Sequence, residues 1–123
     1  MKTIIETKNA PAPIGPYSQA VMSGNMLFIS GQIAIVPATG IVEISSIDKE
    51  THQVMKNLTE ILGKAGMKMD NVIKTSIFLK EMNQFAQVNE IYGSYFASDF
   101  PARETVAVKG LPKNVNVEIS MIA

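Results

Sequence analysis

Residues 115–122, Val-Asn-Val-Glu-Ile-Ser-Met-Ile, limit the possible folds more than any other stretch of the chain. Successive side chains of a strand point to opposite faces, so Val115, Val117, Ile119 and Met121 make one apolar face. Asn116, Glu118, Ser120 and Ile122 make the other. The first face requires a core. The second mixes an acid and two small polar groups with an isoleucine, which suits neither open water nor an ordinary interior. A strand of this kind predicts a sheet covered on one face and met by a partner on the other.

The rest of the chain supplies that sheet and its cover. Thr3–Ile5 reads as a short strand, and "NAPAPIGPYSQ" as ordered loop, because three prolines fix φ and remove donors. Two apolar runs around Ser23-Gly24-Asn25 read as a hairpin. Residues 31–46 show little pattern beyond a turn at "VPATG". A helix follows, with Ser45 and Asp48 spaced as a capping box and Val54, Met55, Leu58, Ile61, Leu62 and Ala65 at helical spacing. Gly66 is placed to cap its end. Residues 72–79 read as a strand. A second helix is expected from about Asn83, with Phe85, Val88, Tyr92, Tyr95 and Phe96 on one stripe, ending before Pro101. Strands over 103–108 and 115–122 complete the order βββ-α-β-α-ββ, an α+β fold in one domain, residues 1–123. Two helices cover one sheet face only, so the chain is expected to associate with copies of itself through the uncovered faces, the alternative being a monomer with one wet sheet face.

Composition removes several chemistries. There is no cysteine and one histidine, which excludes disulfides, thiolate metal sites and cysteine nucleophiles. His52 lies off the apolar stripe of the first helix and is expected to face water. Eleven basic residues balance eleven acidic ones, without the clustered charge that nucleic acids require. No phosphate-binding glycine motif occurs. The N-terminus lacks a signal-peptide core, and no run approaches the roughly 20 apolar residues of a membrane span. These features read as a soluble, cytoplasmic protein with no membrane or nucleic-acid partner.

What remains is a short set of polar side chains on the sheet and its loops. Arg103 and Thr105 alternate onto one face of their strand, and Glu104 onto the other with Val106 and Val108, on the side of the helices. If Val117 and Ile119 also face the helices, Glu118 lies on the Arg103 side. A guanidinium there can clamp a carboxylate through two parallel hydrogen bonds, and a carboxylate can hold a water and move its proton. The two side chains could equally pair with each other as a structural ion pair. Tyr17 in the proline-rich loop, Ser30 and Gly31 at a strand end, and Asn89 on the second helix are further candidates, each with an ordinary structural alternative.

"APAPIGPYSQA", "ISGQI", "VIKTSIFLKEMNQFAQVNEIY", "FPARETVAVKGLP" and "VNVEISMIA" resemble, in order and spacing, the Rid proteins, the reactive-intermediate imine/enamine deaminases of the YjgF family. The resemblance covers essentially the whole chain. Its most specific part is Pro101-Ala102-Arg103 followed by Val117-Glu118-Ile119. It implies a chorismate-mutase-like fold and a homotrimer whose sheets form a central barrel, with clefts between subunits. It also implies hydrolysis of 2-imino and 2-enamino acids to 2-keto acids and ammonia, with no metal and no organic cofactor. Arg103 then resembles the arginine that grips the substrate carboxylate, and Glu118 the glutamate that positions the water. Tyr17, Ser30, Gly31, Asn89 and Thr105 resemble residues lining the cleft. Glu104-Thr105 departs from the Ser-Cys that usually follows the arginine. The same residues also suit a module that binds small carboxylates such as 2-keto acids without turnover; an RNA-directed activity is a third reading, against which the balanced charge argues.

Overall fold

The computed structural model describes residues 1–123. Six strands form one sheet: β1 (Lys2–Ile5), β2 (Ala20–Ser23), β3 (Met26–Gln32), β4 (Lys74–Leu79), β5 (Ala102–Ala107) and β6 (Val117–Ile122). Their order across the sheet is β1-β2-β3-β6-β4-β5. The β4–β5 pair is parallel and the others antiparallel. Helices α1 (Ile47–Lys64) and α2 (Phe85–Gly93) pack together on one face. The expected order of elements is therefore the observed one, with strand ends moved by one or two residues. The β2–β3 hairpin closes through Gly24-Asn25, with Gly24 at φ +61°.

The apolar stripe of α1 is the centre of the core: Val54, Met55, Leu58, Ile61 and Leu62 are fully buried. They lie against Leu27, Ile29, Ile77, Leu79, Val117, Ile119 and Met121 of the sheet. The helix ends at a left-handed Gly66, φ +76°, where Met67 N donates to Leu62 O and Gly66 N to Gly63 O. This pair of bonds satisfies two carbonyls that the helix would otherwise leave open. The cap at its start is Ser46, not Ser45: Ser46 Oγ accepts from Lys49 N at 3.1 Å, while Ser45 turns back to Glu43. The second helix begins later than expected, because Met82–Gln84 form a tighter 3₁₀ turn ahead of Phe85.

Register decides what each sheet face carries. Thr75, fully buried under the helices, is opposite both Met121 of β6 and Arg103 of β5. Ile77 likewise pairs Ile119 with Thr105. Arg103 and Thr105 are thus on the helix-covered side. On the other side Phe78 pairs with Glu118 and Val106, and Ser76 with Ser120 and Glu104. Two expectations are corrected here. Glu118 does not share a face with Arg103, and Glu104 does not face the helices. Glu104 instead forms an ion pair with Lys74 at 3.0 Å and accepts a hydrogen bond from Ser76, which together hold its carboxyl below the usual carboxylate range. This uncovered face is otherwise rich in exposed apolar side chains: Ile4 is 51% exposed, Phe28 42% and Val106 41%. No helix is long and apolar enough to cross a membrane.

Candidate active site

Two clefts carry the candidate residues. The first, about 450 Å³, is bounded by Asn89, Tyr92 and Gly93 of α2 together with Phe100, Pro101 and Arg103. Phe85, Asn89 and Tyr92 lie one helical turn apart on the α2 surface facing β5. Tyr92 is fixed from below, its hydroxyl donating to Thr75 Oγ1 at 3.0 Å. Burial pushes its pKa up, partly opposed by the Thr75 bond and the Arg103 charge. The Arg103 guanidinium rests 5.2 Å from the Tyr92 ring centre and 5.7 Å from that of Phe85. Nη1 donates to Asn89 Oδ1 at 2.7 Å. Asn89 is neutral, and the one ion pair in the chain is Lys74–Glu104. Arg103 is therefore oriented without being paired to an acidic side chain, and most of its donors remain unused within the chain. Thr105 stands further along the same face of β5, its hydroxyl buried without a partner.

The second cleft, about 390 Å³, contains Glu118, Gly31, Tyr17 and Lys113 among mostly apolar walls of Pro11, Ile14, Ile33 and Pro112. The Tyr17 hydroxyl accepts from Ile14 N at 3.3 Å, so the ring closes its own loop while one side stays open. Glu118 is half-buried, and desolvation pushes its carboxyl above the ordinary glutamate value. Its position explains Gly31: a Cβ there would lie 2.5 Å from Glu118 Oε2 and 2.9 Å from its carboxyl carbon. The glycine leaves room for the carboxylate in this position and does not serve an unusual φ. Gly31→Ala is expected to displace the Glu118 carboxylate with little change in melting temperature, because the three nearest atoms to that point all belong to the Glu118 side chain. A crystal structure of the variant with the carboxylate unmoved, or a large drop in melting temperature, would contradict this.

Ser30 differs from the other candidates. Its hydroxyl donates to Ser18 O at 2.6 Å and its N–H to Gln19 O at 2.9 Å, so its side chain ties the irregular end of β3 to the proline-rich loop. His52 is exposed as expected but shares a 2.9 Å hydrogen bond with the Tyr95 hydroxyl across the helix pair. Sequence reasoning missed Lys113 as a cleft residue. The signal lay in "LPKN": Pro112 precedes it and Asn114 follows, turn residues around two successive left-handed positions, Lys113 at φ 54° and Asn114 at φ 55°. No cluster of three or more His, Asp or Glu side chains could hold a metal ion.

In one copy of the chain, then, an arginine with no acidic partner and a partly desolvated glutamate belong to different clefts on opposite sides of a sheet. Comparison with known proteins gives this arrangement its context. The family model described as Endoribonuclease L-PSP matches residues 7–123. The human 2-iminobutanoate/2-iminopropanoate deaminase is 44% identical over 123 residues, covering all of this chain and 90% of that protein. A Rid-family protein of unknown function from Yersinia pestis superposes with a TM-score of 0.98 at 50% identity, covering all of this chain and 98% of that one. Escherichia coli TdcF, solved with bound serine, superposes with a TM-score of 0.94 at 39% identity, covering 98% of this chain and 97% of that one. A match of this extent, over a sheet and helices of the same arrangement, makes the chain a member of the Rid family, the family also described as Endoribonuclease L-PSP.

Proposed function

We propose that the protein hydrolyses 2-imino acids, and the 2-enamino acids that tautomerise to them, to 2-keto acids and ammonia. In this reading three copies assemble with their uncovered sheet faces inward, and each site joins Arg103 of one copy to Glu118 of another. The observation that carries it is the unneutralised Arg103, cradled by Asn89 and Tyr92 and aimed into an open cleft. Support also comes from the exposed apolar sheet face, the name of the human relative and the serine bound by TdcF.

The steps follow from the groups available. Arg103 receives the substrate carboxylate through two N–H donors and thereby fixes the imine carbon. Glu118 accepts a proton from a water as its oxygen adds to that carbon, and the C=N bond becomes a single bond. The proton then passes to the nitrogen to give a carbinolamine, the hydroxyl proton follows it to the nitrogen as the C–N bond breaks, and ammonia leaves as the C=O bond of the keto acid forms. Uncatalysed hydrolysis already runs in water, so orientation and a short relay of protons between water, Glu118 and the nitrogen are enough. No step calls for a metal or an organic cofactor.

The test is to generate 2-aminoacrylate or 2-iminobutyrate with a dehydratase and follow keto acid formation. Acceleration by the wild type supports the reading. Saturable 2-keto acid binding without any acceleration would replace it with a binding module, a reading that the serine-bound relative also accommodates. The pH profile adds a sharper check. Glu118 acts as a base only when ionised, and burial raises its pKa, so kcat/KM should fall as the pH is lowered through a value above the ordinary glutamate range of about 4.3. An acid limb at or below that value, or one that persists in Glu118→Gln, would remove Glu118 from the proton transfer.

A further inference from the structure

Glu50 is the other carboxylate with an unusual setting, and the mechanism above does not use it. It lies in the first turns of α1 and is 0% exposed. Such a group is costly to bury unless its oxygens are satisfied. Here they are satisfied without a cation. Oε2 accepts from Asn116 N at 2.7 Å and from Val117 N at 3.2 Å, and Oε1 accepts from Asn116 Nδ2 at 2.7 Å. Two consecutive backbone N–H groups converge on one oxygen. An extended strand cannot do this, since its successive N–H groups point in opposite directions. The chain accordingly bends at Asn116 before β6 begins.

That bend is a junction of the second cleft. Ahead of it, Pro112 and Lys113 line the cleft; two residues after it comes Glu118. The same junction is held from the end of β4, where Lys80 N donates to Asn116 O and Lys80 Nζ to Asn114 Oδ1, both at 2.9 Å. Helix packing alone would be served by an apolar side chain at position 50. Three acceptor contacts gathered on one turn of backbone serve geometry instead.

We propose that Glu50 is a positioning residue: its carboxylate sets the bend at Asn116 from which β6 starts, and so holds Glu118 over Gly31. The kinetic part of this inference rests on the deaminase reading; the structural part does not.

The test compares Glu50→Gln with Glu50→Leu in the full chain, by crystal structure and by steady-state kinetics. The Gln oxygen can accept both backbone N–H groups, and Asn116 can rotate its amide to accept from the new NH₂. Glu118 should stay in place, with kcat within about threefold of wild type. Leu fills the volume and accepts nothing. Glu118 should move off Gly31, and kcat should fall about 30-fold with KM within about twofold, since the Arg103 clamp is untouched. Glu50→Leu combined with Glu118→Gln should be no slower than Glu118→Gln alone. A merely structural role predicts instead a further, additive loss and a joint change in KM and kcat. Should the leucine variant not fold, Asn116→Ala removes only the side-chain donor, and a kcat loss at constant KM is again expected. Glu118 unmoved in the crystal, kcat retained, or additive losses would each overturn the proposal. If the wild type turns over no imino acid, the deaminase reading fails, and the position of Glu118 in the two crystal structures still decides this one.

Discussion

Arg103→Ala should lower kcat/KM on 2-imino acids by about 100- to 1000-fold, equivalent to about 3–4 kcal/mol of lost transition-state stabilisation. The side chain holds the only full positive charge of its cleft, and its geometry is prepared in advance by the Asn89 bond and the Tyr92 ring. An anion bound there exchanges charge-assisted, paired hydrogen bonds for water when the arginine is truncated. The fold should survive. Arg103 lies on an edge strand and its side chain makes one hydrogen bond within its own chain, to Asn89, so the loss of stability should be about 1 kcal/mol or less. Arg103→Lys should restore charge but not the planar fork, leaving kcat/KM about tenfold below wild type. Full activity in the alanine variant, measured with dehydratase-generated substrate and with unfolding followed in parallel, would disprove the assignment.

A second large effect tests where the site is. Arg103 and Glu118 cannot meet within one copy, since the β4 register sends them to opposite faces. Arg103→Ala and Glu118→Gln chains should each be nearly inactive alone. Refolded together in equal amounts, they should recover activity. If copies assort at random, about one shared site in four draws an intact arginine from one variant and an intact glutamate from the other, so about a quarter of wild-type activity is expected. Native mass spectrometry would confirm that mixed oligomers form. Mixed oligomers that remain dead would show that the two residues do not build a common site.

The elements themselves were legible because each carries its own periodicity: the α1 stripe, the hairpin around Gly24 and the alternation of residues 115–122 survive into the structure. The opposed placement of Arg103 and Glu118 was not legible, for a physical reason. Alternation divides a strand's residues into two sets but does not say which set faces the helices, and a shift of one residue exchanges them. In β5 the apolar set, including Val106, was expected to face the helices. It faces the uncovered side, and Arg103 and Thr105 occupy the helix side, because β5 is an edge strand under the rim of α2 rather than under the core. The pairing of Thr75 with both Arg103 and Met121 settles this, and it is a long-range fact that no local window contains. Lys113 and Glu50 were missed for a related reason. One depends on two left-handed residues in a short turn, the other on a contact across 66 positions of chain.

The Lys74–Glu104 pair has a consequence of its own. Half-exposed on the sheet face of a single copy, it contributes little to stability, as surface pairs generally do. Covered by a neighbour, both charges would surrender their hydration, and any newcomer whose contour left either one stranded would meet a desolvation penalty. In such an assembly the pair would favour identical chains over cousins that share the architecture but not the charge layout.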